Sequence, residues 1–239
     1  MCNATSSFRS VLVVVAAAAA AGACSKADKK AEPAPGTATD KPGAKTPPPA
    51  KASGPFADWD MAGRAALFAG AHVVPGQGGW EAWDVQGDKV TITTAAGDKT
   101  LDFEITSPCT AKVTERSANG SSGTIHKYTV HDGAIALGLG DAGVRKGADA
   151  VACVSNKIFV LAGGVCTMWS DDFGRMKSEP GTCALDTVDG KDVFKATVNA
   201  RESQVPVEGD TIWTVQLAGR HSDKLADLAA AKAAMAERR

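Results

Sequence analysis

From Leu101 to Thr106 the chain alternates strictly: Leu101, Phe103 and Ile105 are apolar, while Asp102, Glu104 and Thr106 are polar. Successive side chains of a strand point to opposite faces, so this period of two predicts a strand with one buried and one wet face. Trp83-Asp84-Val85, Gly87-Asp88 and Val90-Thr91-Ile92-Thr93 predict a hairpin before it, and Gly97-Asp98-Lys99 the turn that leads in. Strand patterns recur at 111–115, 124–130, 134–139, 149–154, 157–161, 165–170, 182–186, 192–198 and 211–217. Asp132-Gly133, Ser155-Asn156 and Asp189-Gly190 supply turns between them. Strands joined by tight turns need no crossover helices, which predicts an all-β fold, an antiparallel barrel or sandwich of about 8–12 short strands. Ala150–Val154 and Ile158–Leu161 are apolar at every position, so both of their faces require cover and they belong at the centre.

Helical character is confined to the ends of this region. Asp58 to Ala71, with Trp59, Met61, Leu67 and Phe68 among alanines, predicts a short helix or turn. In 222–239, Leu225, Leu228 and Met235 fall on one side of a C-terminal helix for which Ser222 is a candidate cap, and this helix is expected to dock on the domain. Residues 25–54 hold no large apolar side chain, and seven of the eleven prolines lie between Pro33 and Pro55. Such a composition cannot form a core; it reads as a disordered Pro/Ala/Lys-rich linker, locally extended at Pro47-Pro48-Pro49.

Arg9 precedes an apolar run from Val11 to Ala23, which meets Ser25-Lys26-Ala27-Asp28-Lys29-Lys30 at once. A spanning helix needs roughly 20 apolar residues, so the run reads as a secretory signal rather than a membrane span. Ala21-Gly22-Ala23-Cys24 resembles the lipobox of bacterial lipoproteins, a resemblance that covers the first 24 residues only. It implies that 1–23 is a signal peptide removed before Cys24, that Cys24 is the lipid-attachment residue, and, with Ser25 following, that the protein is lipid-anchored in the cell envelope at the outer membrane. The competing reading is an ordinary secretory signal cut at a nearby alanine. The expected organisation is therefore 1–23 signal peptide, 24–54 lipidated cysteine and linker, 55–221 β-rich domain, and 222–239 terminal helix.

Charge narrows the function. The 239 residues carry a net charge of −1, but the linker is basic, and 55–221 holds 15 basic against 21 acidic side chains. An acidic domain repels a phosphate backbone, which excludes nucleic acid as a partner. With Cys2 in the leader and Cys24 lipidated, Cys109, Cys153, Cys166 and Cys183 remain, an even number that in an exported domain predicts two disulfides. Of the three pairings, Cys109–Cys153 with Cys166–Cys183 is favoured because the second bond closes the loop from Trp169 to Gly181. No C-x-x-C and no histidine at ligand spacing accompanies them, so no metal or cofactor is expected.

Gly138-Leu139-Gly140-Asp141-Ala142-Gly143 has the G-x-G-x-x-G spacing of dinucleotide sites, but Val144-Arg145-Lys146-Gly147 leads into a strand, not the required helix. The segment reads instead as a flexible loop whose Gly138, Gly140, Asp141, Gly143, Arg145 and Lys146 are the candidate ligand contacts. His72, His126, His131 and His221 fit no nucleophile pattern, and no catalytic residue is assigned. Gly78-Gly79-Trp80 looks like the lipocalin G-x-W, in which a tryptophan plugs one end of a ligand-holding barrel. That resemblance implies a carrier or sensor binding a small apolar or amphipathic molecule inside the barrel. The alternative is a structural or protein-interaction lipoprotein of the envelope with a filled core, and a hydrolase is the least favoured reading.

Overall fold

The computed structural model describes residues 55–76, 78–118, 120–138, 140–172, 175–214 and 221–238. The segments expected to be signal peptide and linker, 1–23 and 24–54 with Cys24, lie outside the described residues. The described residues form an all-β domain with two helices, α1 (Met61–Phe68) and α2 (Leu228–Glu237). One antiparallel sheet holds β1 (Gly70–Gly76), β2 (Gly79–Gln86), β3 (Lys89–Thr94), β4 (Gly97–Ser107), β5 (Thr110–Ser117), β6 (Gly120–His131) and β7 (Ala134–Gly138) in chain order. The other runs from β8 (Ala142–Lys146), β9 (Asp149–Val154), β10 (Lys157–Ala162) and β11 (Val165–Asp172) to β12 (Arg175–Pro180) at one edge. On the other side of β8 it continues through β16 (Thr211–Trp213), β15 (Arg201–Glu208) and β14 (Lys191–Val198) to β13 (Cys183–Val188). With Asp223–Leu225, which joins the first sheet, the described residues form 17 strands over two sheets, more than the pattern alone predicts.

The first sheet is a nearly closed barrel because one short segment bridges its ends. His221 pairs with Ala136 of β7, and the Ser222 amide donates to the Ile135 carbonyl at 2.7 Å. The next residues form β17 (Asp223–Leu225), which pairs with β1 through Ala71, His72 and Val73. The expected terminal helix consequently starts later, at Leu228, capped by Asp227, whose carboxylate accepts from the Ala230 amide at 2.9 Å, and not by Ser222. That helix does dock: Ala231 and Met235 are buried against Ala71, Val73 and Ala82.

Alternation along the barrel strands sends Trp83, Phe103, Tyr128 and Leu137 inward, where α1 adds Met61, Ala65 and Phe68. The Phe68 ring meets Tyr128 edge-on, with centroids 4.9 Å apart, and Phe103 at 5.4 Å, so the interior is a packed aromatic core. Trp80, the tryptophan of the G-x-W resemblance, is not a plug. It lies half-buried beside α2, with the Arg238 guanidinium 4.4 Å above its ring, because β1 precedes it and places it on the opposite face from Trp83.

The fully apolar strands are central, as their composition requires. Val151, Cys153 and Val160 belong to the barrel-side core. Ala150, Ala152, Val154, Phe159 and Leu161 pack on Phe194, Val205 and Ile212 inside the half-barrel that the second sheet forms. Two hairpins turn where the sequence marks them: Asp132-Gly133 has φ of 50° and 75°, and Asp189-Gly190 has 51° and 74°. Both residues of such a turn sit in the left-handed region, which Asp tolerates and Gly adopts freely.

The disulfides are Cys109–Cys153 and Cys166–Cys183, the favoured pairing. The first is buried and joins the barrel to the second sheet; the second ties β11 to β13 across the half-barrel. Closing chain segments separated by 44 and 17 residues stabilises by about 4 and about 3 kcal/mol on loop entropy. Urea unfolding of Cys109→Ala/Cys153→Ala is therefore expected to show a loss of about 4 kcal/mol, larger than that of Cys166→Ala/Cys183→Ala. Equal or reversed losses contradict this assignment of the inter-sheet bond.

Candidate functional site

The barrel interior is occupied, and a cleft lies outside it, between the barrel wall and the second sheet. On β4 to β7 the residues opposite in parity to the core point outward, in two rows set by strand register. One row is Glu104, Lys112 and Ile125; the next is Thr110, Lys127 and Gly138, with Thr106 hydroxyl-bonded to Thr110 at 2.9 Å. Facing them, Cys153, Ile158 and Trp169 are register partners across β9, β10 and β11. Together with Asp141, the Ser155-Asn156-Lys157 turn and Met176, these residues enclose about 540 Å³. That volume suits a small molecule. Ile125 at 46% and Met176 at 42% exposure flank the opening, two of the three large apolar side chains exposed among the described residues.

One carboxylate fixes the polar end of the cleft. The Asp141 Oδ1 accepts from the Lys127 ammonium at 2.9 Å and from the Ser155 amide at 2.8 Å, which pins the β9–β10 turn to β6. Both side chains are mostly buried, so this pair is screened less than a surface pair. The indole Nε1 of Trp169 is buried without a hydrogen-bond partner among the described residues.

The glycine-rich candidate segment divides. Gly138 and Asp141 line the cleft. Gly140 is buried at the connection between the sheets, and Ala142 to Lys146 is strand β8, where a flexible loop was expected. A Cβ on Gly143 would lie 2.3 Å from the Val151 carbonyl oxygen, so this glycine serves the close approach of β8 to β9 and no phosphate. Its carbonyl accepts from Thr129 Oγ1 at 3.0 Å, a tie between the sheets. Arg145 turns away, onto Asp192 at 2.7 Å, and Lys146 is exposed at the β8–β9 turn. The sequence reading missed Lys112, Lys127, Lys157, Ile158 and Trp169, which carry no local motif.

The histidines stand apart from the cleft. His126 lies in the barrel interior, edge-on to Trp83 with centroids 5.1 Å apart, and burial lowers its pKa. His131 stacks on Trp213 at 5.2 Å and on His221 at 5.9 Å, at the seam where β7 meets the bridging segment. His72 is buried; its Nε2–H donates to the Phe68 carbonyl at 3.1 Å and its Nδ1 has no partner among the described residues. Among the described residues no group of three or more His, Cys, Asp or Glu is placed to hold a metal ion, and no helix is long and apolar enough to cross a membrane. The family models, curated proteins and solved structures compared with this chain include no match to it.

Burial, and secondarily the Lys224 ammonium, lowers the His72 pKa from 6.5 to about 4. The unfolded chain then takes up this proton at a higher pH than the folded one. Its stabilising effect is full above pH 6.5 and is lost as pH falls toward about 4, on the order of 3 kcal/mol. Replacing His72→Leu should shrink the difference between unfolding free energies measured at pH 7 and pH 4.5. An undiminished difference would place the acid sensitivity elsewhere.

Proposed function

We propose that this chain is a lipid-anchored protein of the bacterial cell envelope whose domain binds a small amphipathic molecule in the cleft between its two sheets. The observation that carries the reading is the cleft's pairing of unlike walls. One is the polar outer face of β4 to β6 and the other is the apolar row of Ile158 and Trp169, with Ile125 and Met176 exposed at the mouth. Because the barrel interior is packed, we assign the ligand to this external cleft rather than to the interior expected of a lipocalin-like carrier. Two disulfides in one small domain agree with export to an oxidising compartment. The Ala21–Cys24 segment supports attachment through Cys24. Acyl chains contribute about 0.8 kcal/mol per buried methylene, and two or more hold a protein on a bilayer.

A second reading, an envelope interaction module, is favoured by the same filled interior and by the exposed pair Ile125 and Met176. Ligand and partner are separated by titrating the purified domain with a small amphipathic dye such as anilinonaphthalene sulfonate. We expect saturable binding with a change in tryptophan emission that disappears in Trp169→Phe. Ile125→Ser/Met176→Ser should weaken binding at least about tenfold, since each side chain offers an apolar contact worth about 1 kcal/mol or more and about 1.4 kcal/mol corresponds to a factor of ten. Absence of saturable binding overturns the ligand reading and leaves the interaction module. Independently, Cys24→Ala is expected to move the protein from the membrane to the soluble fraction, and a variant that still pellets with membranes contradicts the anchor.

A further inference from the structure

The charge of the cleft runs against that of the domain around it. Residues 55–221 carry more acid than base, yet the cleft gathers Lys112, Lys127 and Lys157 against Glu104 and Asp141. Asp141 is committed: it neutralises Lys127 and accepts the Ser155 amide through the same oxygen. Lys112 and Lys157 have no ion pair or hydrogen bond with a described residue, although Glu104 is the register partner of Lys112 across β4 and β5, and the two lysines come from opposite walls, one from β5 and the other from the start of β10. Three ammonium groups face the two carboxylates of Glu104 and Asp141, and the Trp169 indole N–H has no acceptor among the described residues. An apolar molecule entering the cleft would strip water from these ammonium groups with no compensation. An anionic end offsets that cost with charge-assisted hydrogen bonds, which are roughly twice as strong as neutral ones.

Resting on the reading of the cleft as a ligand site, we infer that it selects amphipaths whose polar end is an anion, a carboxylate or a phosphate monoester. Lys112 and Lys157 receive the head, and Ile125, Ile158, Trp169 and Met176 receive the tail. The head's chemistry is shared by free acids and by phosphate-headed lipids.

Four probes with one dodecyl tail separate head from tail below their micelle concentrations: dodecanoate, dodecyl phosphate, dodecyl maltoside and dodecyltrimethylammonium. By calorimetry on the intact mature domain, the two anions are expected to bind at least tenfold more tightly than the neutral and cationic probes. Stronger binding of the phosphate supports a lipid headgroup as the source and stronger binding of the carboxylate a free acid. In Lys112→Gln/Lys157→Gln the anions should fall to the affinity of the maltoside. Both lysines are only partly buried, and Lys99→Gln/Lys191→Gln, far from the cleft, controls for net charge by retaining the preference. Four probes binding alike, or an anion preference that survives loss of both lysines, overturns the headgroup inference while the cleft stands as a ligand site. No binding by any probe overturns both.

Discussion

The structure depends on the need to cover both faces of β9 and β10. Each residue from Ala150 to Val154, and from Ile158 to Leu161, is apolar, and burial of such surface is worth about 25 cal/mol per Å². A single barrel would use Val151, Cys153 and Val160 and leave Ala152, Val154, Phe159 and Leu161 in water. The chain resolves this by building two curved sheets and placing these strands between two cores. The Cys109–Cys153 bond and the Thr129 to Gly143 hydrogen bond tie the two sheets together.

The cleft is a by-product of that arrangement. Where β10 and β11 run on past the inter-sheet disulfide, the apolar row of Ile158 and Trp169 continues, but the barrel face opposite it has turned polar at Thr106, Thr110 and Lys112. The two walls cannot satisfy one another: closing them would bury ammonium and hydroxyl groups against hydrocarbon. Asp141 holds the gap at a fixed width by bonding both sides. A molecule with a hydrocarbon part and a polar part is the complement of that mismatch, and a lipid anchor would keep its binding site near a membrane source of such molecules.

Much of the fold was legible because its strongest signals are local. The alternation at Leu101–Thr106, the Asp-Gly turns, the two apolar strands and the disulfide pairing all appear in the structure as read. Other elements were hidden for identifiable reasons. Glycines at 138, 140 and 143 disguised β8 as a loop. In β15 the exposed Arg201, Glu202 and Gln204 outnumber the buried Val205 and Val207. The closing strand β17 is three residues long and gains its stability from pairing with β1. The candidate site was legible only at Gly138 and Asp141. Its other residues range from Glu104 to Met176, and each reads locally as an ordinary sheet position. Only the apposition of two sheets makes them neighbours.

The most direct test is a crystal structure of residues 55–239 grown with dodecanoate. Electron density is expected for one alkyl chain along Ile158 and Trp169, with its carboxylate between Lys112 and Lys157. Ligand density inside the barrel among Trp83, Phe103 and Tyr128, or a cleft left to solvent at saturating dodecanoate, would contradict this placement.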